Sequence, residues 1–498
     1  MQKRSLGWTM LVSSLSVGLG ACSDTARGID AIGGGAGSTS NPPRDGQAPD
    51  AGPTPGTVPA PRTIGSPLPQ IVHAQHAPYE DVHALAVEPS EAVTVVTVLT
   101  GEGGIDAPRR ASVTRVSADQ STVFSTSFEL ASKGRVGGIV LDDDGVYVGG
   151  TFDGHLEVGG HAVDSVVNPG QPMRPGDPRG AASADLFLMK LDTAGSVVWL
   201  RSFGGVADQD CVKLVRAPDR SLVALISFTG ELALGSFDVT SSGGSTRADL
   251  LIATFDASGE PLSAKQLPAV GTIADAAIDS RGHLALTGTG GATISVDGRA
   301  VPLGAGWIAE LALDGSWLWG SSMSDGSAPE PVSIAIDASD DVLVGAEAYD
   351  PAATLYGRPI ASSGATLVKL SPRGDVLLAK TFGSSHLDTI FGVAAGRDDA
   401  ILVTGLFTSS IDFGQGALTS DVTPDGVSSS AFIAKLDATG APQWGLAAGG
   451  IGLNSGVAIA TAGSTTVAAG WFDRAIDFGT GRLDEATTGR YLLWLRDP

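Results

Sequence analysis

FGVAAGRDDAILVTGLFTSSIDFG, residues 391–414, followed after a polar loop by SAFIAKLDATGAPQWGLAAGG, residues 430–450, is the stretch whose reading decides the fold. It holds four apolar segments of strand length, each bounded by Gly, Asp, Ser or Pro. None spaces its apolar residues at the three-and-four interval of a helix. Short apolar runs closed by turn residues read as strands. The step Asp437-Ala438-Thr439-Gly440 is a hairpin turn by mechanism: the Asp accepts a backbone N–H two residues on, and the Gly supplies the positive φ that turns the chain back.

The same grammar runs from about Asp81 to the C-terminus. Inner apolar segments recur as HALAV (83–87), GGIVL (137–141), VKLV (212–215), AAI (276–278), VSIAI (332–336), FGVAA (391–395) and GVAIA (456–460). Second segments end at Gly, as in VYVGG (146–150), LALTG (284–288), ILVTG (401–405) and TVAAG (466–470). Third segments include DLFLMKLD (185–192), DLLIATFD (249–256), TLVKL (366–370) and YLLWLRD (491–497). The turn after the third segment repeats as Asp192-Thr193-Ala194-Gly195 and Asp256-Ala257-Ser258-Gly259, with Ser371-Pro372-Arg373-Gly374 as a variant.

Four locally connected antiparallel strands make a twisted blade, and counting third segments gives seven units. The last unit stops without a fourth strand. LPQIVHAQHAPYEDVHALAV (68–87) lines up with VVWLRSFGGVADQDCVKLV (197–215), so residues 69–76 are predicted to pair with the last three strands and close a ring. Closure removes the sheet edges that an open array would expose. The expected fold is all-β, a seven-bladed β-propeller spanning 67–498.

Ile390–Gly450 and Gly137–Gly205 resemble the bacterial seven-bladed β-propeller repeat family labelled SBBP. Its pattern resembles an inner strand, a D-x-x-G turn, YVTG, a loop, AFVAKLD-x-x-G and a Gly-Gly exit. Here the corresponding residues are LVTG (402–405), AFIAKLD (431–437) and GG (449–450). The resemblance implies the propeller fold and an extracytoplasmic setting, and implies no particular activity.

The N-terminus reads as an address. Lys3 and Arg4 precede an apolar run from Leu6 to Ala21, too short to span a bilayer. Leu19-Gly20-Ala21-Cys22 resembles the bacterial lipobox, which implies cleavage after residue 21 and lipidation of Cys22. Several acyl chains on one residue, at about 0.8 kcal/mol per buried methylene, would anchor the chain to a membrane stably. Ser23 in the next position tilts the expectation toward the outer membrane, facing periplasm or exterior. Residues 22–66 are rich in Gly, Pro and Ser, cannot bury enough surface to offset their ordering entropy, and read as a disordered tether. Such a coil reaches about 35 Å. Cys211, the only other cysteine, then has no intramolecular partner and reads as a buried thiol.

Composition excludes more than it assigns. Fifty-four acids against 31 bases give a net charge of -23, and no Lys/Arg cluster offers a nucleic acid a basic face. Two cysteines allow neither a disulfide framework nor Cys-rich zinc spacing.

Four groups of residues are candidates for function. Asp81, Asp210, Asp275, Glu330 and Asp388 stand at the starts of inner strands, near one mouth of the central channel. They would either contact a ligand or cation, Ca2+ being the ion oxygen ligands favour, or accept hydrogen bonds from inter-blade turns. His73, His76 and His83 are close in sequence, but in one strand His73 and His76 point to opposite faces, against a zinc site. Phe407, Phe413, Trp471, Phe472 and Phe478 would form either a sugar-stacking platform or packing within their own blades. The long loop Asp164–Ala184 carries Arg174, Asp177 and Arg179 as candidate ligand contacts, or is a tolerated insertion.

No nucleophile elbow is present, and the inner strands are aliphatic almost throughout. The expectation is a monomeric, lipid-anchored envelope binding module for a protein or glycan. The alternative is a cation-dependent hydrolase or lyase working at the channel mouth.

Overall fold

The computed structural model describes residues 60–76, 81–100, 108–167, 183–243, 248–268, 270–324, 329–350, 354–360, 363–383, 387–420, 428–450 and 452–497. The leader, Cys22, most of the expected tether, and Arg174, Asp177 and Arg179 lie outside the described residues.

Seven antiparallel sheets of the expected kind are present. Blade two is typical, with strands Arg135–Asp142, Gly145–Asp153, Ala184–Asp192 and Val197–Phe203 paired in sequence order. The other inner strands are Asp81–Val87, Gln209–Arg216, Thr272–Ile278, Glu330–Ile336, Thr389–Ala395 and Asn454–Ala462. Each inner strand lies beside the next, and Asn454–Ala462 lies beside Asp81–Val87, so the ring is closed.

Closure takes the expected route. Gln70–His76 forms the outer strand of blade seven, in register with Arg482–Arg496 from Gln70 opposite Arg496 to His76 opposite Tyr491. The tether, expected to extend to residue 66, is corrected by a further strand. Arg62–Gly65 adds a fifth, outermost strand to blade six, with Arg62 opposite Ala447. Thr63 and Ile64 favour strand, and Ile64 packs on the blade five and six core. The Gly/Pro average of the surrounding segment hides that local preference. The chain therefore passes from blade six to blade seven through Ser66 and Pro67.

The loops between second and third strands are more ordered than their sequences suggest. Among the described residues, five carry a separate two-stranded hairpin, such as His155–Val158 with His161–Asp164 and Ala292–Val296 with Arg299–Leu303. Gly159 and Gly160 both have positive φ, as do Asp297 and Gly298, the requirement for a two-residue turn that follows strand twist.

Every inner strand also carries one bulge, leaving His83, Gly137, Val212, Ala274, Val332, Phe391 and Val457 without a partner across the ladder. The bulges give the blades a common register.

The core is not central. Seven apolar clusters sit between neighbouring blades, one at each of the seven junctions. Phe407, Phe413, Phe472 and Phe478 are all buried in them, which removes the aromatic platform. Packing within their own blades is only part of the outcome. Phe413 stacks at 4.9 Å on Phe382 of the preceding blade as well as on Phe432 of its own.

A candidate binding face at the channel mouth

Inner strands begin, second strands end and the hairpins project on one face of the ring, called here the first face. Counting two residues back from each bulge gives equivalent positions: Asp81, Arg135, Asp210, Thr272, Glu330, Thr389 and Ser455. Three of the five acids singled out from sequence thus share a backbone position. Asp275 lies one residue past its bulge and Asp388 three before.

The structure does not gather these acids into one shell. Asp210 pairs with Arg135 of blade two and accepts a hydrogen bond from Thr151 Oγ1 at 3.2 Å. Asp275 receives Lys213 Nζ of blade three at 2.5 Å and the Ile334 N–H of blade five at 3.1 Å, tying three inner strands together. Asp388 is fully buried and accepts the Thr408 N–H at 2.8 Å. Glu330 is exposed, opposite Glu347 of its own blade, and accepts the Tyr349 hydroxyl at 3.4 Å. Asp81 is placed by its backbone alone.

Charged side chains of both signs stand around the mouth. On blades one and two, His83 and Arg109 stand near Arg135. Burial first, then the Arg109 and Arg135 charges, lower the His83 pKa to about 4, so its imidazole is neutral. Arg109 donates to the Gly134 carbonyl at 3.0 Å. Blades five and six, nearly across the ring, present Glu330, Glu347 and Asp388. Burial raises the Glu347 pKa to about 7 against hydrogen bonds from Thr389 and Tyr349, and the Glu330 and Asp388 charges add to the rise. Sequence reasoning missed Glu347 because it sits inside an apolar second strand, VLVGAEA (342–348). Its signal was an ionisable residue in an otherwise aliphatic run.

The long loop of blade two leaves and re-enters the scaffold on the same face. Its base is held by two carboxylates. Asp185 accepts the Val166 N–H at 2.7 Å and Ser183 Oγ at 2.8 Å, and Asp208 accepts the Ala184 N–H at 2.9 Å. Burial raises the Asp185 pKa to about 6 despite these hydrogen bonds.

The histidines do not meet. His73 rests on Trp494 and His76 on Phe472, each with ring centroids 5.8 Å apart, while His83 is half-buried in blade one.

Among the described residues, one Asp/Glu/His group has ligand atoms within 4.8 Å of one another: Asp279, His283 and Glu310, on the opposite face. Arg281 already occupies it, 2.5 Å from Asp279 and 3.0 Å from Glu310, and Trp319 Nε1 donates to Glu310 at 2.8 Å. With a guanidinium bridging both carboxylates, the group reads as an ion-pair network. The sequence signal was an acid at position 310 where blades two, five and six carry Lys190, Lys369 and Lys435.

No protein-family profile matches the chain. No curated protein matches it either. Among solved structures, the chain is similar to virginiamycin B lyase from Staphylococcus aureus, at 10% identity and TM-score 0.40 over 84% of this chain and 98% of that one. It is similar to the Dos1 propeller at 9% identity and TM-score 0.41, over 86% and 95% of the two chains. It is also similar to Chaetomium thermophilum Sqt1 bound to the N-terminus of ribosomal protein L10, at 10% identity and TM-score 0.43, over 86% and 99%.

Proposed function

We propose that this chain is a binding module of the bacterial envelope, carried on a lipid at Cys22 and taking a protein or glycan on its first face. The observation that carries this reading is the convergence on that face of a mouth bearing charged side chains of both signs and a long loop whose two ends are clamped by Asp185 and Asp208. Loops projecting from a rigid scaffold are where recognition concentrates. The inner strands supply little chemistry, being largely aliphatic, as in RVGGIVLD (135–142), EPVSIAI (330–336) and NSGVAIATA (454–462).

The lipid half of the proposal is tested by metabolic labelling with palmitate. Cys22→Ser should abolish the label and move the protein from the membrane pellet to the soluble fraction. Label that survives the substitution overturns it. The binding half is tested by cross-linked capture from envelope extract, comparing the native chain with a variant carrying Arg174→Glu and Arg179→Glu. A specific partner retained by the native chain and lost by the variant supports the loop as contact. Identical recoveries from both remove the loop from the binding face.

A further inference from the structure

Five junctions between blades share one device, on the face opposite the channel mouth. The tight turn between the third and fourth strands of one blade lies against the outer strand of the blade before it. The turn glycines Gly195, Gly259, Gly315, Gly374 and Gly440 all have φ between 75° and 84°. A side-chain carbon on them would come within 2.5–2.8 Å of Phe124, Trp199, Lys265, Trp319 and Leu378 respectively. Side chains of the earlier blade then donate to carbonyls of the turn: Thr126 Oγ1 to Gly195 at 2.6 Å, Arg201 Nε to Ser258 at 2.8 Å and Lys380 Nζ to Gly440 at 2.8 Å.

Blade seven offers blade six no such turn. Its third strand, Arg482–Arg496, and its fourth, Gln70–His76, come from distant parts of the chain. In that place lies a cavity of about 400 Å³, walled by Trp444, Lys435 and Asp497 and rimmed by the exposed Ser66, Pro67 and Gln443. Its size falls in the range of about 300–1,000 Å³ typical of ligand sites. Trp444 follows the bulge of its outer strand, the position held by Phe124, Trp199, Trp319 and Leu378 in other blades. Lys435 stands where blade five has Lys369, which reaches the Ala438 carbonyl of the next turn at 3.4 Å.

Donors outnumber acceptors on this wall. Trp444 is 3% exposed, and its indole N–H has no hydrogen-bond partner among the described residues. In blade four the corresponding indole, Trp319, donates to Glu310 directly across the strand pair at 2.8 Å. Across from Trp444 stands Lys435, itself a donor, and its ammonium group turns to Asp497. The Lys435–Asp497 pair is neutral as a whole, so the remaining donors suit an uncharged acceptor such as a backbone carbonyl.

We propose that this cavity receives a glycine-containing β-turn of a partner protein, whose carbonyl oxygens are taken by Lys435 Nζ and Trp444 Nε1. The occupant repeats what blade turns do at the five other junctions, where the glycine's positive φ lets the turn backbone approach the outer strand closely. The site lies on the opposite face from the mouth and stands independently of the reading proposed for that mouth.

Nuclear magnetic resonance of the full chain labelled with ¹⁵N-tryptophan tests the proposal. Trp444→Phe identifies the Trp444 signal among the eight indoles. The probe is a backbone-cyclised hairpin peptide presenting Asp-Ala-Thr-Gly, the turn at residues 437–440. Saturable downfield movement of the Trp444 signal, with binding at least tenfold weaker in Lys435→Met and in Gln443→Phe, supports it. Gln443→Phe fills the cavity from an exposed position, so it keeps the test sound should Lys435→Met fail to fold. The same ring with valine in place of glycine should leave the signal still. A Trp444 signal unmoved up to about 5 mM peptide, equal binding of the valine ring, or indifference to Gln443→Phe overturns the proposal. Movement with protein concentration alone would make the occupant a turn of a second copy, and movement with maltose but not with the peptide would make it a sugar. Either result overturns the assignment to a partner protein.

Discussion

The junction of blades five and six and the junction of blades seven and one do the same job with different means. The first buries seventeen apolar residues, four of them phenylalanine (Phe382, Phe407, Phe413, Phe432). The second buries nine, six of them valine and none phenylalanine. Blades five and six are joined by continuous chain. Blade seven leads into blade one in the same way, through Gln70–His76 and then Asp81–Val87, but the rest of blade seven comes from the other end of the chain, so the two ends meet inside that blade. There the thin core is supplemented by backbone: Gln70–His76 must complete blade seven before that blade can present a finished sheet to blade one. A propeller can thus economise on side-chain packing where it invests in strand exchange between its termini.

The sharpest way to break this comparison is to remove residues 60–76. The six ladder pairs from Gln70 to His76 and the four from Arg62 to Gly65 would be lost, at about 1 kcal/mol per hydrogen bond, or about 10 kcal/mol in all. An unpaired edge on Arg482–Arg496 would be exposed as well. The truncated protein should lose its soluble monomeric yield, read by size-exclusion chromatography. A monomer of unchanged melting temperature would show that the terminal strand is ornamental.

Side-chain truncation at the two junctions should then separate them. Phe413→Ala removes a ring packed on two others and should cost about 3–5 kcal/mol in denaturant unfolding. Val457→Ala at the seam removes two methyls, a loss of about 2 kcal/mol. If the seam variant costs more, the seam is held by its core and not by its ladder.

Polar contacts follow the same division. At the five–six junction Lys369 is 5% exposed, with Asp337 at 2.7 Å and Asp341 at 3.0 Å. Burial works to lower its pKa, but the two carboxylates outweigh that and leave it raised. Lys369→Met would strand a buried acid pair and should cost about 3 kcal/mol. At the seam, Arg496 pairs with Glu91 while half exposed, and Glu91→Gln should cost less than about 1 kcal/mol. Blade four shows the same turn with its charges exchanged: Glu310 replaces the lysine and His283 replaces Asp341. Arg281 then supplies the positive charge.

What the sequence could and could not reveal follows from where each signal lives. The blade count and the terminal closure were legible because the D-x-x-G turn must have an Asp acceptor and a positive-φ Gly at fixed spacing, and Asp192, Asp256 and Asp437 each show it. The strand at Arg62–Gly65 was not, because four residues of strand preference vanish in an average over a Gly/Pro-rich segment. The hairpins were not, because two to five residues per arm carry no period. At the mouth, equivalence depends on the bulge, which shifts register by one residue and leaves no mark in composition. Asp275 and Asp388 therefore looked equivalent to Asp210 in the sequence and are displaced from it in space. Glu347 became a candidate only once pairing set it against Glu330.

The smallest effect tests whether the contrast between junctions extends to pH. Asp185 is buried where blade two hands over to blade three, whereas the cluster at the seam is wholly apolar apart from its indole. Its folded pKa of about 6 lies above the ordinary carboxyl value near 3.9, so the fold favours the protonated form. The contribution is full below about pH 4 and is lost as pH rises through about 6, on the order of 2 kcal/mol in total. Between pH 4 and 7 the native chain should therefore lose stability relative to Asp185→Asn, whose amide cannot ionise. Hydrogen exchange should place that loss at Val166 and Ala184, at the base of the long loop, and leave the protection of Val93 and Val467 at the seam unchanged. Loss at the seam instead would mean that the two kinds of junction melt as one cooperative ring, and that the thin core between first and last blades is as strong as the rest.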